Sequence, residues 1–220
     1  MDTDYDYAVN VIKKLRKRYK DKMHTELLHK NLTELFVAVL LSPQCNDNQV
    51  NKVTKTLFEK YKTFNDYSNA DLKELYRYLN GLNYYKTKAK HLRESSRIII
   101  DKFNGTVPKT INGLMELPGV GRKVANVILN EGFGISKFGI AIDTHCIVVS
   151  KRLGLTQSKK PKVIEKDLMK KLPKKYWKIS SNLLIALGRD TCTAKKTFCD
   201  KCVLNKICPS STVIKKKQNN

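Results

Sequence analysis

The sequence predicts an all-α fold, and three observations carry that expectation. Apolar residues recur at three-to-four spacing along most of the chain, no segment sustains a period of two, and the breaks carry helix-cap chemistry. Val9, Ile12, Leu15 and Tyr19 define the first helix. Further helical stretches read at about 26–41, 47–61, 70–79, 86–103, 122–132, 144–153, 162–172 and 177–188. In "SPQCND" (42–47) a proline ends one helix and an Asp caps the next, and "NGTVPKT" (104–110) is a turn-rich connection. The one strand-like run is "FGIAI" (138–142). The closing "STVIKKKQNN" (211–220) has no apolar period and reads as a frayed tail.

At 220 residues the chain is long enough to bury a core as one domain or as two small lobes. Its charge is extreme: 43 Lys and Arg against 20 Asp and Glu leave +23. Such self-repulsion points to a polyanionic partner, nucleic acid first and an anionic membrane surface second. The longest apolar run, "LFVAVLL" (35–41), is too short to span a bilayer. The acidic start "MDTDYDYAVN" does not read as a secretory leader. "KKLRKRYK" (13–20) could be a nuclear signal, but its apolar spacing suits a helix with a solvated basic face.

Six cysteines without a secretory leader favour metal or catalytic use over disulfides. Cys45 and Cys146 stand apart and read as buried or idle thiols. Cys192, Cys199, Cys202 and Cys208 form a Cys-x6-Cys-x2-Cys-x5-Cys run. Four thiolates so spaced can surround a zinc ion or an iron–sulfur cube, and spacing alone does not choose. Arg189, Lys195, Lys196, Lys201 and Lys206 would make a metal-tied loop there a positive surface for phosphates.

"LPGVGRKVAN" (117–126) is the second motif. It is not a nucleotide-binding P-loop, because Arg122 separates Gly121 from Lys123 and no hydroxyl residue follows the lysine. It suits two short helices joined by "PGVG", a hairpin whose Gly119 and Gly121 amides face an anion beside a helix N-terminus, with Arg122 adjacent. Lys123 then falls in the first turn of the second helix. There the helix dipole and Arg122 disfavour an ammonium and should lower its pKa, which would favour a nucleophilic amine. A plain phosphate contact is the competing reading. In "IAIDTHCIVV" (140–149), Asp143 stands at an N-cap position, where amides keep a carboxylate ionised and able to take a proton or face a cationic transition state.

Together "LLSPQCND", "LPGVGRK", "IDTH" and the cysteine run resemble, in order, the endonuclease III family of DNA glycosylases over about residues 26–208. The resemblance implies two helical lobes flanking a DNA-binding cleft. One is a six-helix barrel, 24–135, carrying the helix-hairpin-helix. The other is discontinuous, 1–23 with 136–220, and holds a [4Fe-4S] cluster on Cys192, Cys199, Cys202 and Cys208. It implies that Lys123 attacks C1′ of a flipped-out damaged pyrimidine, that Asp143 assists, and that the Schiff base permits β-elimination and a nick. Gln44 would fill the space left by the flipped base. The implied partner is duplex DNA carrying oxidised pyrimidines or abasic sites. The implied protein is an intracellular monomer, in the cytoplasm or nucleoid of a prokaryote, with nucleus and mitochondrion remaining open.

Lys123 separates the chain from similar adenine-specific enzymes, which carry a small residue there, and from thymine-mismatch enzymes, which carry tyrosine. Five positions depart from the family pattern. Asn83 stands at a glycine, Tyr84 at a leucine that wedges into DNA, Val148 at an arginine, Leu187 at a histidine and Thr197 at a proline. A ring at 84 could stack on bases instead. Two other functions remain open on the residues alone: a non-catalytic DNA-binding module, and a glycosylase whose Lys123 only binds phosphate.

Overall fold

The computed structural model describes residues 3–214. Among them no β-strand forms, and the helices are α1 (Thr3–Arg18), α2 (Leu32–Leu41), α3 (Asp47–Lys60), α4 (Phe64–Ser68), α5 (Leu72–Leu79), α6 (Tyr85–Phe103), α7 (Ile111–Met115), α8 (Arg122–Val127), α9 (Thr144–Arg152), α10 (Pro161–Lys171) and α11 (Lys174–Asp190). The chain divides into two compact units, Glu26–Ile135 and a discontinuous one of Met1–Thr25 with Ser136–Asn220.

In the continuous unit α2 is the central rod. Every residue from Leu35 to Leu41 is buried, because α3, α6 and α8 pack around it. That accounts for the unbroken apolar run: a helix covered on all sides needs no polar face. Among the described residues, no helix is long and apolar enough to cross a membrane. The 19-residue α6 lays Ala89, Leu92, Ser95, Ser96 and Ile99 into the same interior.

The helix expected over 26–41 begins only at Leu32. The Asn51 side chain on α3 accepts from the Leu28 amide and donates to the Glu26 carbonyl, both at 2.9 Å, holding that segment out of a helix. Asn31 then caps α2 by accepting from the Glu34 amide at 2.9 Å. At the start of α3 the cap is Asn46, and Asp47 is the first helical residue, a correction to the expected Asp cap. The short α4 was not foreseen as a helical stretch, while α7 is the first of the two short helices expected around PGVG. Each is capped by a threonine, Thr63 and Thr110, whose hydroxyl accepts an amide of the first turn.

In the discontinuous unit α1 presents Ala8, Val11, Ile12 and Leu15 to a core shared with Ile164, Leu168, Leu183, Leu184 and Leu187. Two tyrosines fasten the ends of α1. The Tyr7 hydroxyl donates to the Leu153 carbonyl at 2.9 Å, and the Tyr19 hydroxyl donates to Asp190 at 2.8 Å. Burial and that carboxylate raise the Tyr19 pKa to about 12. Gly188 lets α11 approach α9 closely, since a Cβ there would lie 3.0 Å from His145 Cβ. The FGIAI run forms no strand: Ile140, Ala141 and Ile142 are buried as an irregular segment leading to α9.

Of the tail expected at 211–220, residues 215–220 lie outside the described part. Fraying does not begin at 211, because Ser211 is buried and a helical turn follows at 212–214.

Leu15 is fully buried in the core that also holds Trp177, the chain's one tryptophan. Leu15→Ala is expected to destabilise this unit by ~2–5 kcal/mol. Urea titration followed by Trp177 fluorescence should show the midpoint falling.

Candidate active site

The glycine hairpin is built by α7, the turn Leu117–Gly121 and α8. Gly119 adopts φ +81°, a left-handed conformation natural to glycine. It is also hemmed in, since a Cβ there would meet His91 Nδ1 at 2.8 Å and Leu40 Cδ1 at 3.0 Å. The Ser95 hydroxyl on α6 donates to the Pro118 carbonyl at 2.9 Å, and the Val120 amide closes the turn on Leu117 O at 3.0 Å. Gly121 is the N-cap of α8, and a Cβ there would meet only open space. That opening leaves room for a large group beside the backbone. Arg122 and Lys123 are the first two residues of α8, with Lys123 exposed. His91 is the floor beneath Gly119. No sequence signal foretold it, because the contact joins residues far apart in the chain.

Two further residues singled out in the sequence lie in the same unit. Gln44 and Tyr84 are both exposed and both left-handed, at φ 59° and 56°. For residues with a Cβ that conformation costs ~1–3 kcal/mol and persists only where neighbours enforce it. Here the Asn83 side-chain amide donates to the Gln44 carbonyl at 2.6 Å. Lys88 Nζ, on a largely buried side chain, lies 2.9 Å from Cys45 Sγ. Cys45 is therefore paired and only half-buried, rather than idle.

Asp143, Lys195, Lys196 and the four clustered cysteines belong to the other unit. Asp143 is the N-cap of α9, its carboxylate accepting from the Cys146 amide at 2.8 Å. It is half-buried, so part of the carboxylate surface stays accessible. Cys146 behind it is fully buried, and burial drives its thiol far above the ordinary range, an inert core residue.

The spacing of the cysteine run follows from three successive turns. Cys192 and Thr197 pair in an isolated bridge that folds the six-residue spacer back on itself. The Cys202 amide donates to Cys199 O at 3.3 Å across a 3-10 turn. The Cys208 amide donates to Leu204 O at 2.9 Å over the fully buried Leu204. Arg152, reaching in from α9, donates to the Cys192, Thr193 and Ala194 carbonyls and lies 3.5 Å from Cys192 Sγ. Each remaining sulfur also has a donor. The Leu204 amide lies 3.4 Å from Cys202 Sγ, the Ser210 amide serves Cys208, and the Thr212 amide and hydroxyl serve Cys199. Burial pushes the Cys199 thiol up, but the Thr212 and Thr197 donors and the Arg152 charge outweigh it and hold the pKa below its usual value. Burial dominates at Cys202 and Cys208 and raises both. Among the described residues, no three His, Cys, Asp or Glu side chains converge as a site for a single metal ion. Lys195 and Lys196 are exposed on the hairpin between Cys192 and Cys199, with Lys196 Nζ over the Phe198 ring at 5.0 Å.

Gly119→Ala combines a disfavoured φ with a clash on His91. It should lower stability by ~2 kcal/mol. Adding His91→Ala should recover only the steric part, read as a partial return of the denaturation midpoint.

Comparison with known proteins fits these features. The model of the HhH-GPD superfamily of base excision DNA repair proteins matches residues 37–174. Endonuclease III of Bacillus subtilis is 45% identical over 184 residues, 83% of each chain. A non-covalent endonuclease III–DNA complex superposes with a TM-score of 0.89 at 41% identity, with both chains fully covered. A trapped endonuclease III–DNA covalent intermediate, also at 41% identity and full coverage, superposes with a TM-score of 0.88.

Proposed function

Because the chain belongs to the endonuclease III family of HhH-GPD base excision repair proteins, we propose that it removes oxidised pyrimidines from duplex DNA and nicks the strand at the abasic site. The observation that carries this reading is Lys123, an exposed amine one residue into the helix that follows the glycine hairpin. The hairpin holds a backbone phosphate through the Gly119 and Gly121 amides with Arg122 adding charge, and in the other unit the loop lysines Lys195 and Lys196 offer further charge to DNA. That grip is independent of sequence, as a search for scattered damage requires.

The target nucleotide is turned out of the stack, with Gln44 and Tyr84 contacting the bases it leaves. Lys123 Nζ forms a bond to C1′ as the glycosidic C–N bond breaks and the base departs with the bonding pair. The sugar opens to a Schiff base between Nζ and C1′. Loss of a C2′ proton then expels the 3′-phosphate, and hydrolysis of the imine frees Lys123. For Asp143 the inferred task is to stabilise positive charge on the sugar. Its capping bond engages part of the carboxylate and fixes its direction. The reaction takes place wherever the cell keeps its DNA.

Cys192, Cys199, Cys202 and Cys208 would hold a [4Fe-4S] cluster. The donor set supports this: four thiols, each served by an N–H or O–H donor or a guanidinium, match the needs of an anionic sulfur-rich group. When bound, the cluster supplies a covalent frame for the turns that present Lys195 and Lys196, rather than a reacting centre.

Incubation with abasic DNA and borohydride should trap the protein covalently. Lys123→Ala and Lys123→Gln should not trap, and Lys123→Gln should still bind DNA. Trapping that survives both substitutions, or a wild type that never traps, rejects the lyase assignment. Asp143→Asn keeps a competent N-cap, so its melting temperature should stay near wild type while base excision falls about a hundred-fold. Purified protein should be brown and contain iron and acid-labile sulfide in equal amounts; a colourless protein with stoichiometric zinc would overturn the cluster assignment.

A further inference from the structure

The loop after α2 and the loop before α6 are fastened together by three side chains. The Gln49 amide donates to the Gly81 carbonyl, Asn83 to the Gln44 carbonyl at 2.6 Å, and Lys88 Nζ reaches Cys45 Sγ at 2.9 Å. Gln49 and Lys88 sit on the flanking helices α3 and α6. Asn83 differs from both. It lies in the loop itself, directly before Tyr84, and it grips the peptide group of Gln44.

We propose that Asn83 is a positioning residue that locks Gln44 and Tyr84 into one preorganised pair and so sets the efficiency of lesion extrusion from duplex DNA. This rests on the function proposed above. Gln44 and Tyr84 are exposed, carry a Cβ and hold positive φ, so nothing intrinsic to either residue keeps them there. The direction of the Gln44 carbonyl is set by its own backbone torsions. A hydrogen bond to that oxygen therefore opposes relaxation to the ordinary α or β regions. Because Asn83 is peptide-bonded to Tyr84, a shift of either loop is passed to the other. The glycine that the family pattern places here has no side-chain amide and cannot make this link.

The link matters more for this chain than for one bearing the family's leucine. An aliphatic wedge fills a gap in many orientations, whereas the aromatic ring of Tyr84 gains stacking only when its plane matches the bases. Asn83 and Tyr84 thus act as a matched pair of departures: the second demands an orientation that the first supplies.

The test uses Asn83→Asp, nearly the same shape without a donor, and Asn83→Gly. Excision kinetics are measured on a duplex with one oxidised pyrimidine. Borohydride trapping is measured on a single-stranded abasic oligonucleotide, which has no stacked duplex to open. Both variants should lose about five-fold in duplex kcat, the equivalent of ~1 kcal/mol. KM, single-strand trapping and melting temperature should hold near wild type. Hydrogen exchange at the Cys45 amide, bonded to Ser42 O at 3.0 Å, should quicken in both. Unchanged duplex kinetics, or duplex and single-strand activities falling together with the melting temperature, would overturn the proposal. A wild type that neither excises nor traps rejects the functional reading beneath it, while the exchange measurement still reports on the lock itself.

Discussion

The seat of Gly119 against His91 and Leu40 is the constraint on which the rest of the continuous unit depends. Leu40 belongs to the last turn of α2, and His91 and Ser95 belong to the middle of α6. The same two helices carry the other exposed probes, since α2 runs out into the Gln44 loop and α6 starts directly after Tyr84. One close approach therefore fixes three features at once: the hairpin with its lysine, the loop after α2 and the loop before α6. A side chain larger than hydrogen at 119 would push on both supports.

Asp143 shows how one group can serve both structure and chemistry. Its bond to the Cys146 amide starts α9 and aims the carboxylate. The helix whose start it fixes also carries Arg152 at its far end, whose guanidinium gathers the carbonyls of 192–194. Capping, the course of α9 and the shape of the cysteine loop are thus parts of one chain of contacts.

Much of this was legible in the sequence because it is local. The apolar spacing of α1, α6 and α9, the Asp143 cap and the cysteine spacing depend on neighbours within a turn or two. What stayed hidden is non-local or too short to have a period. The five-residue α4 spans little more than one turn. Leu27 and Leu28 imitate a helical face, but only Leu27 is buried, and Asn51 decides the backbone there from another helix. The apolar FGIAI run finds burial without a strand partner. The role of His91 and the bond from Asn83 to Gln44 exist only once distant segments meet.

The discontinuous unit has a consequence for how the protein is made. The apolar stripe of α1 leaves the ribosome well before its partners Leu183, Leu184 and Leu187. The segment 26–135 can complete its own interior in between, since all of its sequence is by then available. Until those partners emerge, Ala8, Val11, Ile12 and Leu15 have no native surface to cover them. The surrounding Lys13, Lys14, Arg16, Lys17 and Arg18 then keep a nascent amphipathic helix soluble by charge repulsion.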